Sequence, residues 1–469
     1  METRREVDPL GEKAVPKKAY YGIQTLRAVE NFPVSGIQAP PVFIKAYVQV
    51  KKAATTANME VGWLDAKIGK AIIQACDEVI AGKLHDEFVV DVFQAGAGTS
   101  FNMNVNEVLA NKALELLGKE KGDYRTVSPN DHVNMGQSTN DTFPTALHLA
   151  VLMATQPLLR ALDELANAFE KVGKKNSGVT KSGRTHLQDA LPVTIGQEFG
   201  AYASAVRNAR DQLNDRQKGL LSVALGGTAT GTGANTHPRY KELAVAEIAR
   251  ISGFPLKPAE NPFEALQSLR PVQSVSSGLK ELALELIRIA NDLRLLASGP
   301  TTGLSEITLP PVQPGSSIMP GKVNPVMAEC LDMVAFQVVG NDLAVSMATQ
   351  AGQLELNVMT PVVMHNVLFS IKILTNFLQV FTAKCVEGIS VDKERCEAYL
   401  DKNPSLATFL SPHIGYLEAS KLAKQALKQG RSVRELALEK GLLKPEDLKR
   451  IFDSKNLLGK RDTRRHRSG

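Results

Sequence analysis

The sequence predicts a mainly α protein, with a central bundle of long helices flanked by smaller, mostly helical N- and C-terminal domains. Apolar residues recur at three- and four-residue spacing over long segments. The most regular of these segments places them at Val275, Leu279, Leu282, Leu286, Ile289, Leu293 and Leu296. Similar patterns cover 142–174, 193–221, 326–348 and 361–386, and no strand pattern is seen between them. Five long helices in succession indicate a bundle.

Three predicted domains follow from these patterns. Residues 1–136 alternate shorter helical segments, over 40–60, 66–82 and up to about 117, with loops. Residues 137–390 hold the long helices. Residues 391–469 form a small helical domain with a basic tail, in which Ser432 has the position of a helix cap and Pro445 starts a further helix.

The long helices also predict an assembly. The segment around Val275 carries further apolar residues on its other faces, such as Leu284 and Leu295, so it is apolar nearly all round. One chain covers only part of such a surface. We therefore expect bundles of several subunits to share a core in a homotetramer.

Composition and charge are those of an ordinary soluble globular protein. The chain has 469 residues, 43% hydrophobic and 22% charged, and a formal net charge of +6. Much of the positive excess lies between Lys460 and Gly469, which we interpret as a solvated tail. One Trp and eight Tyr offer little surface for stacking on single-stranded nucleic acid, so no nucleic-acid partner is expected.

Cysteine usage and hydropathy predict the compartment. The four cysteines, Cys76, Cys330, Cys385 and Cys396, show no zinc-binding spacing and are interpreted as buried thiols of a reducing compartment. The N-terminus is charged and has no apolar signal region, and no run of 18 uninterrupted apolar residues occurs. We expect a cytoplasmic protein with no membrane-spanning helix.

Two polar clusters lie where predicted helices begin. The first is the glycine-rich turn Gln94–Asn104, and the second is His132–Asp141. Thr and Ser at such positions serve as helix caps in many proteins, and this alternative stays open for both clusters. A helix start also presents free N–H groups to an anion, which would suit a carboxylate.

A third cluster, Gly183–Asp189, forms a turn between two long predicted helices. A lone histidine such as His186 is commonly a satisfied structural residue, but its Gly-Arg-Thr-His turn favours a functional role. The glycine-rich stretch Gly226–Gly233 lacks a following lysine and matches no phosphate-binding motif. We interpret it as a connection between helices that packs near the site.

The least ordinary stretch is Gly315–Pro325, the serine loop, which has two glycines, two prolines, two serines, a lysine and an asparagine. Glycines and prolines disfavour regular structure and are typical of an active-site loop. A phosphate-binding loop needs four residues between its glycines and Ser or Thr after the lysine. Here five residues separate Gly315 from Gly321, and Val323 follows Lys322. A plain solvated connection would explain the glycines but not the crowded hydrogen-bond donors.

The residues in these clusters indicate a class of chemistry. They supply hydroxyls, amides, one imidazole and one lysine, with no carboxylate pair and no metal-binding cluster. Such a set suits an anionic substrate whose charge shifts during the reaction, rather than hydrolysis by two carboxylates.

These same segments resemble motifs of the aspartase/fumarase superfamily, enzymes that release fumarate from a succinyl skeleton. The resemblance covers nearly the whole chain and includes Leu10–Glu12, Tyr20–Thr25, Gly96–Asn104, Asn134–Asp141 and Gly315–Glu329. Three of its stretches have the aspartase form, namely Gly96–Asn104, Asn134–Asp141 and Pro325–Met327. Fumarases carry Ser-Gly-Thr-Gln or Ser-Gly-Thr-Gly-Thr-Gln in the first stretch and Thr-Gln after the last proline.

The resemblance implies a reaction and an assembly. The reaction is reversible deamination of L-aspartate to fumarate and ammonia, by anti elimination through an enediolate, with no metal or other cofactor. The implied assembly is a homotetramer in which three subunits contribute to each active site.

The resemblance also implies a role for each candidate residue. The catalytic candidates are Ser316, as the base that removes the proton beside the β-carboxylate, and His186. The residues implied to hydrogen-bond the enediolate are Thr99, Ser138, Thr139 and Ser317. Those implied to hold the α-carboxylate are Lys322 and Asn324. Those implied to surround the amino group are Asn140, Thr185 and His186.

Two positions depart from the aspartase pattern. Thr301 stands where the family usually carries Arg, and Asn130-Asp131 follows Pro129 as in fumarases. A class II fumarase, with water as the leaving group, is therefore the alternative reading. A non-catalytic structural or binding protein on the same fold is a third, but Ser316, Lys322 and His186 are all present.

Overall fold

The computed structural model describes residues 2–459, which are mainly helical. The α-helices in chain order are α1 Ile23–Asn31, α2 Pro41–Glu60, α3 Ala66–Ile80, α4 Thr99–Leu116, α5 Thr139–Lys175, α6 Ile195–Arg216, α7 Tyr240–Ser252, α8 Pro262–Gln267, α9 Arg270–Leu296, α10 Val326–Gln350, α11 Thr360–Lys384, α12 Lys393–Lys402, α13 Ser411–Ile414, α14 Tyr416–Gln429, α15 Val433–Glu439, α16 Pro445–Ile451 and α17 Ser454–Leu457. The mainly α prediction is confirmed, and the basic tail, Lys460–Gly469, lies outside the described residues.

The strands are short and pair two by two. The antiparallel pairs are β1 Thr3–Asp8 with β2 Gly11–Pro16, β3 Thr180–Thr185 with β4 Gln188–Thr194, and β7 Ile307–Thr308 with β8 Ser390–Val391. The parallel pair is β5 Ser222–Val223 with β6 Lys257–Pro258. The expectation that no strands separate the long helices was wrong, because the β3–β4 hairpin lies between α5 and α6.

The described chain forms two compact units, each made of three separate segments. Unit 1 contains residues 2–160, 209–284 and 334–376, and unit 2 contains 161–208, 285–333 and 377–459. Each of the five long helices, α5, α6, α9, α10 and α11, contributes residues to both units. The three domains inferred from the sequence divide the chain differently, and their boundaries stay a prediction.

An aromatic cluster organises the core of unit 1. The Phe43 ring on α2 lies 5.1 Å from Phe101 on α4 and 5.0 Å from Phe143 on α5, between ring centroids. Tyr47, one turn further along α2, contacts the same rings edge-on. Burying such rings contributes strongly to stability and fixes the angle between elements. The cluster therefore joins the first turns of α4 and α5, which carry two of the polar clusters.

Helical periodicity predicted the buried face of α9 correctly. All seven residues of its apolar stripe, from Val275 to Leu296, are buried. In unit 2, Phe169 of α5 packs on Phe199 and Tyr202 of α6. The C-terminal helices have their own apolar cluster, and Ser432 and Glu435 form the capping box that starts α15.

Three helical stretches are long and apolar enough to cross a membrane by length and composition alone. They are Thr139–Lys175, Val326–Gln350 and Thr360–Gly388. In their most apolar windows the buried share is 72%, 39% and 56%, respectively. The absence of a membrane span stays a prediction. Of the three stretches, the second, which is α10, has the smallest buried share.

Candidate active site

The glycine-rich turn places Thr99 at the first position of α4. Gly98 has φ +92°, and a Cβ there would lie 2.1 Å from the Phe143 ring, so glycine is required at this position. Thr99 is exposed, and its Oγ1 donates to Gly96 O at 2.7 Å. The side chain that caps the first turn of α4 is Gln94, whose Oε1 accepts from Phe101 N at 2.8 Å, so capping does not account for Thr99.

The second cluster combines capping with a further role. Ser138 Oγ accepts from Asn140 N at 3.2 Å, and Asp141 Oδ1 accepts from Ser138 N at 3.0 Å, which is a reciprocal cap of α5. The other oxygen of Asp141 accepts from Gly226 N and Thr228 N, each at 3.0 Å. The start of α5 therefore also anchors the Gly226–Gly233 connection.

These elements enclose a cavity of about 470 Å³ in unit 1, here called the polar cavity. Its lining includes Thr99, Ser138 and Thr139, together with Thr228 and Ala229 of the Gly226–Gly233 connection. The connection thus lines the polar cavity, and its packing near the active site stays a prediction. Asn140 lies beside it, with Nδ2 donating to Ala229 O at 2.7 Å.

Sequence reasoning missed most of the other polar side chains of this cavity. Gln24, Asn102, Asn134 and Gln137 all line it. Thr228 is buried with its Oγ1 unpaired among the described residues, and its φ of +54° is strained for a β-branched residue. The only sequence signal for Thr228 was its place in a glycine-rich stretch.

The third cluster lies on the β3–β4 hairpin of unit 2. Thr185 pairs with Gln188, and the two residues between them, His186 and Leu187, have φ of +55° and +58°. That is the backbone of a two-residue hairpin turn whose twist matches the flanking strands. Thr185 and His186 are exposed, and within residues 2–459 His186 forms no hydrogen bond. The alternative that His186 is a structural residue with satisfied hydrogen bonds therefore has no support.

The serine loop is closed at its neck and exposed at its tip. Gly315 N donates to Lys322 O at 2.8 Å, and Asn324 Nδ2 donates to Gly315 O at 2.7 Å. A Cβ on Gly315 would lie 2.6 Å from Lys322 O, so only glycine allows this approach. At the tip, Ile318 is 83% exposed.

Ser316 sits at the base of this tip. Its Oγ accepts from Ile318 N at 3.2 Å and Met319 N at 2.9 Å. Ser316 and Lys322 both line a cavity of about 550 Å³ in unit 2, the loop cavity. Two N–H groups directed at a hydroxyl oxygen stabilise its alkoxide, which is the form that acts as a base.

An ion cluster connects the hairpin to the root of the serine loop. Glu306, just before β7, is fully buried and accepts from Arg184 Nη1 at 3.0 Å and Nη2 at 2.9 Å. Lys181 Nζ lies 2.8 Å from Glu306 Oε2 and also binds Glu198. The hairpin with His186 and the segment leading to Ser316 are thus held together within unit 2.

The predicted site residues therefore form two groups. Unit 1 holds Thr99, Ser138, Thr139 and Asn140, and unit 2 holds Thr185, His186, Ser316, Ser317, Lys322 and Asn324. Among the described residues, no three His, Cys, Asp or Glu side chains are arranged to hold a metal ion. The four cysteines form no disulfide, and all but the half-buried Cys330 are buried. The absence of a cofactor stays a prediction.

Comparison with known proteins places this arrangement in a family. Residues 11–340 match the family described as Lyase, and residues 406–459 match the fumarase C C-terminus. An aspartate ammonia-lyase of Bacillus sp is 50% identical over 452 residues, which cover 96% of this chain and 97% of that one. The chain belongs to the aspartase/fumarase superfamily of lyases. The family resemblance inferred from the sequence is confirmed.

Other members of the superfamily agree with this assignment. An aspartate ammonia-lyase of Helicobacter pylori strain 26695 is 47% identical over 99% of this chain and 100% of its own. The crystal structure of fumarate lyase:delta crystallin from Brucella melitensis bound to cobalt has a TM-score of 0.93 at 49% identity, covering 96% of this chain and 98% of that one. A class II fumarase from Schistosoma mansoni also has a TM-score of 0.93, at 39% identity, with the same coverage.

Proposed function

We propose that this protein is an aspartate ammonia-lyase, a carbon–nitrogen lyase that converts L-aspartate reversibly to fumarate and ammonia. The observation that carries the proposal is the 50% identity to the Bacillus aspartate ammonia-lyase over nearly the full length of both chains. The polar cavity, rich in hydroxyl and amide groups, and the loop cavity, which contains Ser316 and Lys322, are consistent with a dicarboxylate substrate.

The proposed base is Ser316. The N–H groups of Ile318 and Met319 already point at its Oγ, and a nearby ammonium such as that of Lys322 would lower the cost of the alkoxide further. Closure of the exposed tip over the substrate would exclude water and strengthen these interactions. The base then removes the proton from the carbon next to the β-carboxylate.

The resulting enediolate carries additional negative charge and needs donors. Thr99, Ser138 and Thr139 line the polar cavity, and Ser317 lies in the serine loop. A donor placed where charge develops contributes about 3 kcal/mol to lowering a barrier, although several donors do not add simply.

Two asparagines have suitable orientations for the rest of the substrate. Asn140 Nδ2 is held by Ala229 O, so its Oδ1 is the end that can accept from the substrate ammonium. Asn324 Nδ2 carries a second N–H besides the one donated to Gly315 O, and with Lys322 it would bind the α-carboxylate. Thr185 and His186 are proposed to complete the amino-group site.

We infer that the active site is completed by other subunits of a homotetramer. On α10, Phe336, Leu343 and Met347 are 58%, 65% and 58% exposed, and with Gly340 between them they are spaced by four, three and four residues. Such spacing forms a continuous apolar stripe along a helix, and large exposed stripes mark interfaces.

The function is tested by offering L-aspartate and L-malate separately to the purified protein and following fumarate by ultraviolet absorbance. Fumarate from L-aspartate with stoichiometric ammonia is expected. Fumarate from L-malate alone would instead establish the fumarase alternative, the class of the Schistosoma enzyme that is 39% identical to this chain.

The assembly is tested by sedimentation of the native protein and of Leu343→Glu. The native protein should sediment as a tetramer. The Leu343→Glu variant should dissociate and lose activity together, because a carboxylate in an apolar interface is costly to desolvate. Leu438→Glu, at another exposed leucine on α15, is the matched control. A monomeric native protein with full activity would contradict the shared site.

A further inference from the structure

Lys51 on α2 is a lysine in an unexpected environment. Its side chain is 0% exposed. Lysine is almost never fully buried unless a carboxylate pairs with it, because an isolated ammonium is costly to remove from water. Within residues 2–459, Lys51 forms no salt bridge. Some other interaction must therefore compensate for its burial.

That interaction is with two side chains of the polar cavity. Lys51 Nζ donates to Asn134 Oδ1 and to Gln137 Oε1, each at 2.9 Å. Both carboxamides line the cavity next to Ser138 and Thr139. The ammonium thus lies directly behind the wall that carries two of the proposed enediolate donors.

The same carboxamides are held by further donors. Asn134 Oδ1 also accepts from Asn102 Nδ2 at 3.3 Å and Asn106 Nδ2 at 3.2 Å, and Asn102 Oδ1 accepts from the Tyr47 hydroxyl at 3.1 Å. We call Tyr47, Lys51, Asn102, Asn106, Asn134 and Gln137 the carboxamide network. Three donors on one oxygen fix which end of Asn134 faces the cavity, and Lys51 is the only charged one of the three.

The charged and titratable groups near Lys51 are few. The Asp141 carboxyl is buried, and burial raises its pKa to about 7, although it accepts from the backbone N–H groups of Ser138, Gly226 and Thr228 rather than from Lys51. Burial raises the pKa of the Cys76 thiol and of the Tyr47 hydroxyl, so both are neutral. Lys51 Nζ lies 5.6 Å from the Tyr47 ring centroid. Burial lowers the pKa of Lys51 to about 7, against the opposing effect of Asp141.

We propose that Lys51 is a positioning residue, whose ammonium orients Asn134 and Gln137 and provides the positive charge behind the polar cavity that attracts a substrate carboxylate. This inference rests on the proposed function, because it takes the polar cavity to be a carboxylate-binding site. A charge in a low-dielectric interior acts over a longer distance than one at the surface.

The test compares Lys51→Met with Lys52→Met in the full-length protein. Lys52 is the next residue on α2, and it forms a surface salt bridge with Asp77. Loss of the Lys51 charge should raise the KM for L-aspartate and the inhibition constant of succinate at least about tenfold, with kcat changed less. Lys52→Met should change neither. Unaltered constants in a folded Lys51→Met variant would overturn the proposal.

A pH series adds a readout that a purely structural role would not move. The protonated form of Lys51 binds an anion better, so succinate affinity should fall as pH rises through the pKa of about 7. Arginine stays charged throughout this range. The pKa of the neighbouring Asp141 is also about 7, and its ionisation would weaken anion binding as well. In Lys51→Arg the fall should therefore be clearly smaller than in the wild type, and this comparison also decides the matter if Lys51→Met does not fold. The same decline in wild type and Lys51→Arg would reject the role of Lys51.

Failure of the proposed function is distinguishable from failure of this inference. Wild-type protein that makes no fumarate from L-aspartate would reject the function. Calorimetric titration with succinate would then still test the Lys51 role: weaker binding by Lys51→Met would support it, and equal binding, or none even by wild type, would overturn it.

Discussion

The polar cavity of unit 1 and the serine loop of unit 2 hold the predicted site residues in contrasting environments, the first supported by buried side chains and the second exposed. The wall of the polar cavity is backed by buried side chains whose hydrogen bonds converge, as on Asn134 Oδ1. The serine loop is joined by few bonds at its neck, and its tip is exposed at Ile318 and Met319. The proposed binding groups thus have a buried, hydrogen-bonded support, whereas the proposed base is on an exposed segment with few hydrogen bonds.

The difference has an energetic reason. Donors for a developing charge are effective when they need no reorganisation, which favours a rigid, buried support. A base that must admit substrate and then exclude water needs a segment with a low cost of opening. We therefore expect changes in the serine loop to affect rate without stability, and changes in the carboxamide network to affect both stability and substrate affinity.

The largest effect should come from Ser316→Ala. Removal of the base is expected to lower kcat by at least about 10³-fold, while the midpoint of thermal unfolding stays unchanged because, within residues 2–459, Ser316 Oγ bonds only to the loop backbone. Initial rates of fumarate formation and a melting curve measure the two quantities. Retention of the full rate would remove Ser316 from the mechanism, and a lower melting point would show that the loop is not energetically separate.

The next effect concerns the root of the serine loop rather than its tip. Glu306→Gln leaves Arg184 without its carboxylate and Lys181 with Glu198 alone in a largely buried site, which should cost about 3 kcal/mol of unfolding free energy. Hydrogen exchange should accelerate in the β3–β4 hairpin. Glu281→Gln removes the partially exposed Arg216–Glu281 pair and should cost less than about 1 kcal/mol. Equal losses in the two variants would mean that the root is not rigidly anchored.

Sequence reasoning predicted the long helices because their apolar spacing is local information. It placed the start of α5 near residue 142, three residues late, since it treated Ser138 to Asp141 as a cluster before the helix. The β3–β4 hairpin was missed because its turn has no glycine at His186 or Leu187, the two residues with positive φ. Strands of two residues, such as β5 and β7, exist only through tertiary pairing and have no pattern of their own.

The residues of the candidate site also divide into those that the sequence indicates and those that it does not. Ser316, Lys322 and the Ser138 cluster stand out because polar groups crowd together beside glycines. Lys51 lies within a helix, where a single lysine is normally expected on the exposed face, and Asn102 belongs to a polar cluster but received no role of its own. Their burial depends on how α2 and α4 pack within unit 1. No periodicity in a single sequence contains that information.

The smallest effect should come from Tyr47→Phe in the carboxamide network. The change removes the hydroxyl that donates to Asn102 Oδ1 and lies 3.0 Å from Thr142 Oγ1, and it leaves the ring in the aromatic cluster. Buried partners left unsatisfied cost about 1–2 kcal/mol, and Asn102 lines the polar cavity, so the KM for L-aspartate should rise a few-fold, by about the same free energy. Denaturant unfolding and steady-state kinetics test both. Tyr416→Phe, at an exposed tyrosine, is the control that should change neither. A Tyr47→Phe variant with wild-type stability and KM would mean that the network is not a preorganised support, and the contrast with the serine loop would then be one of exposure alone.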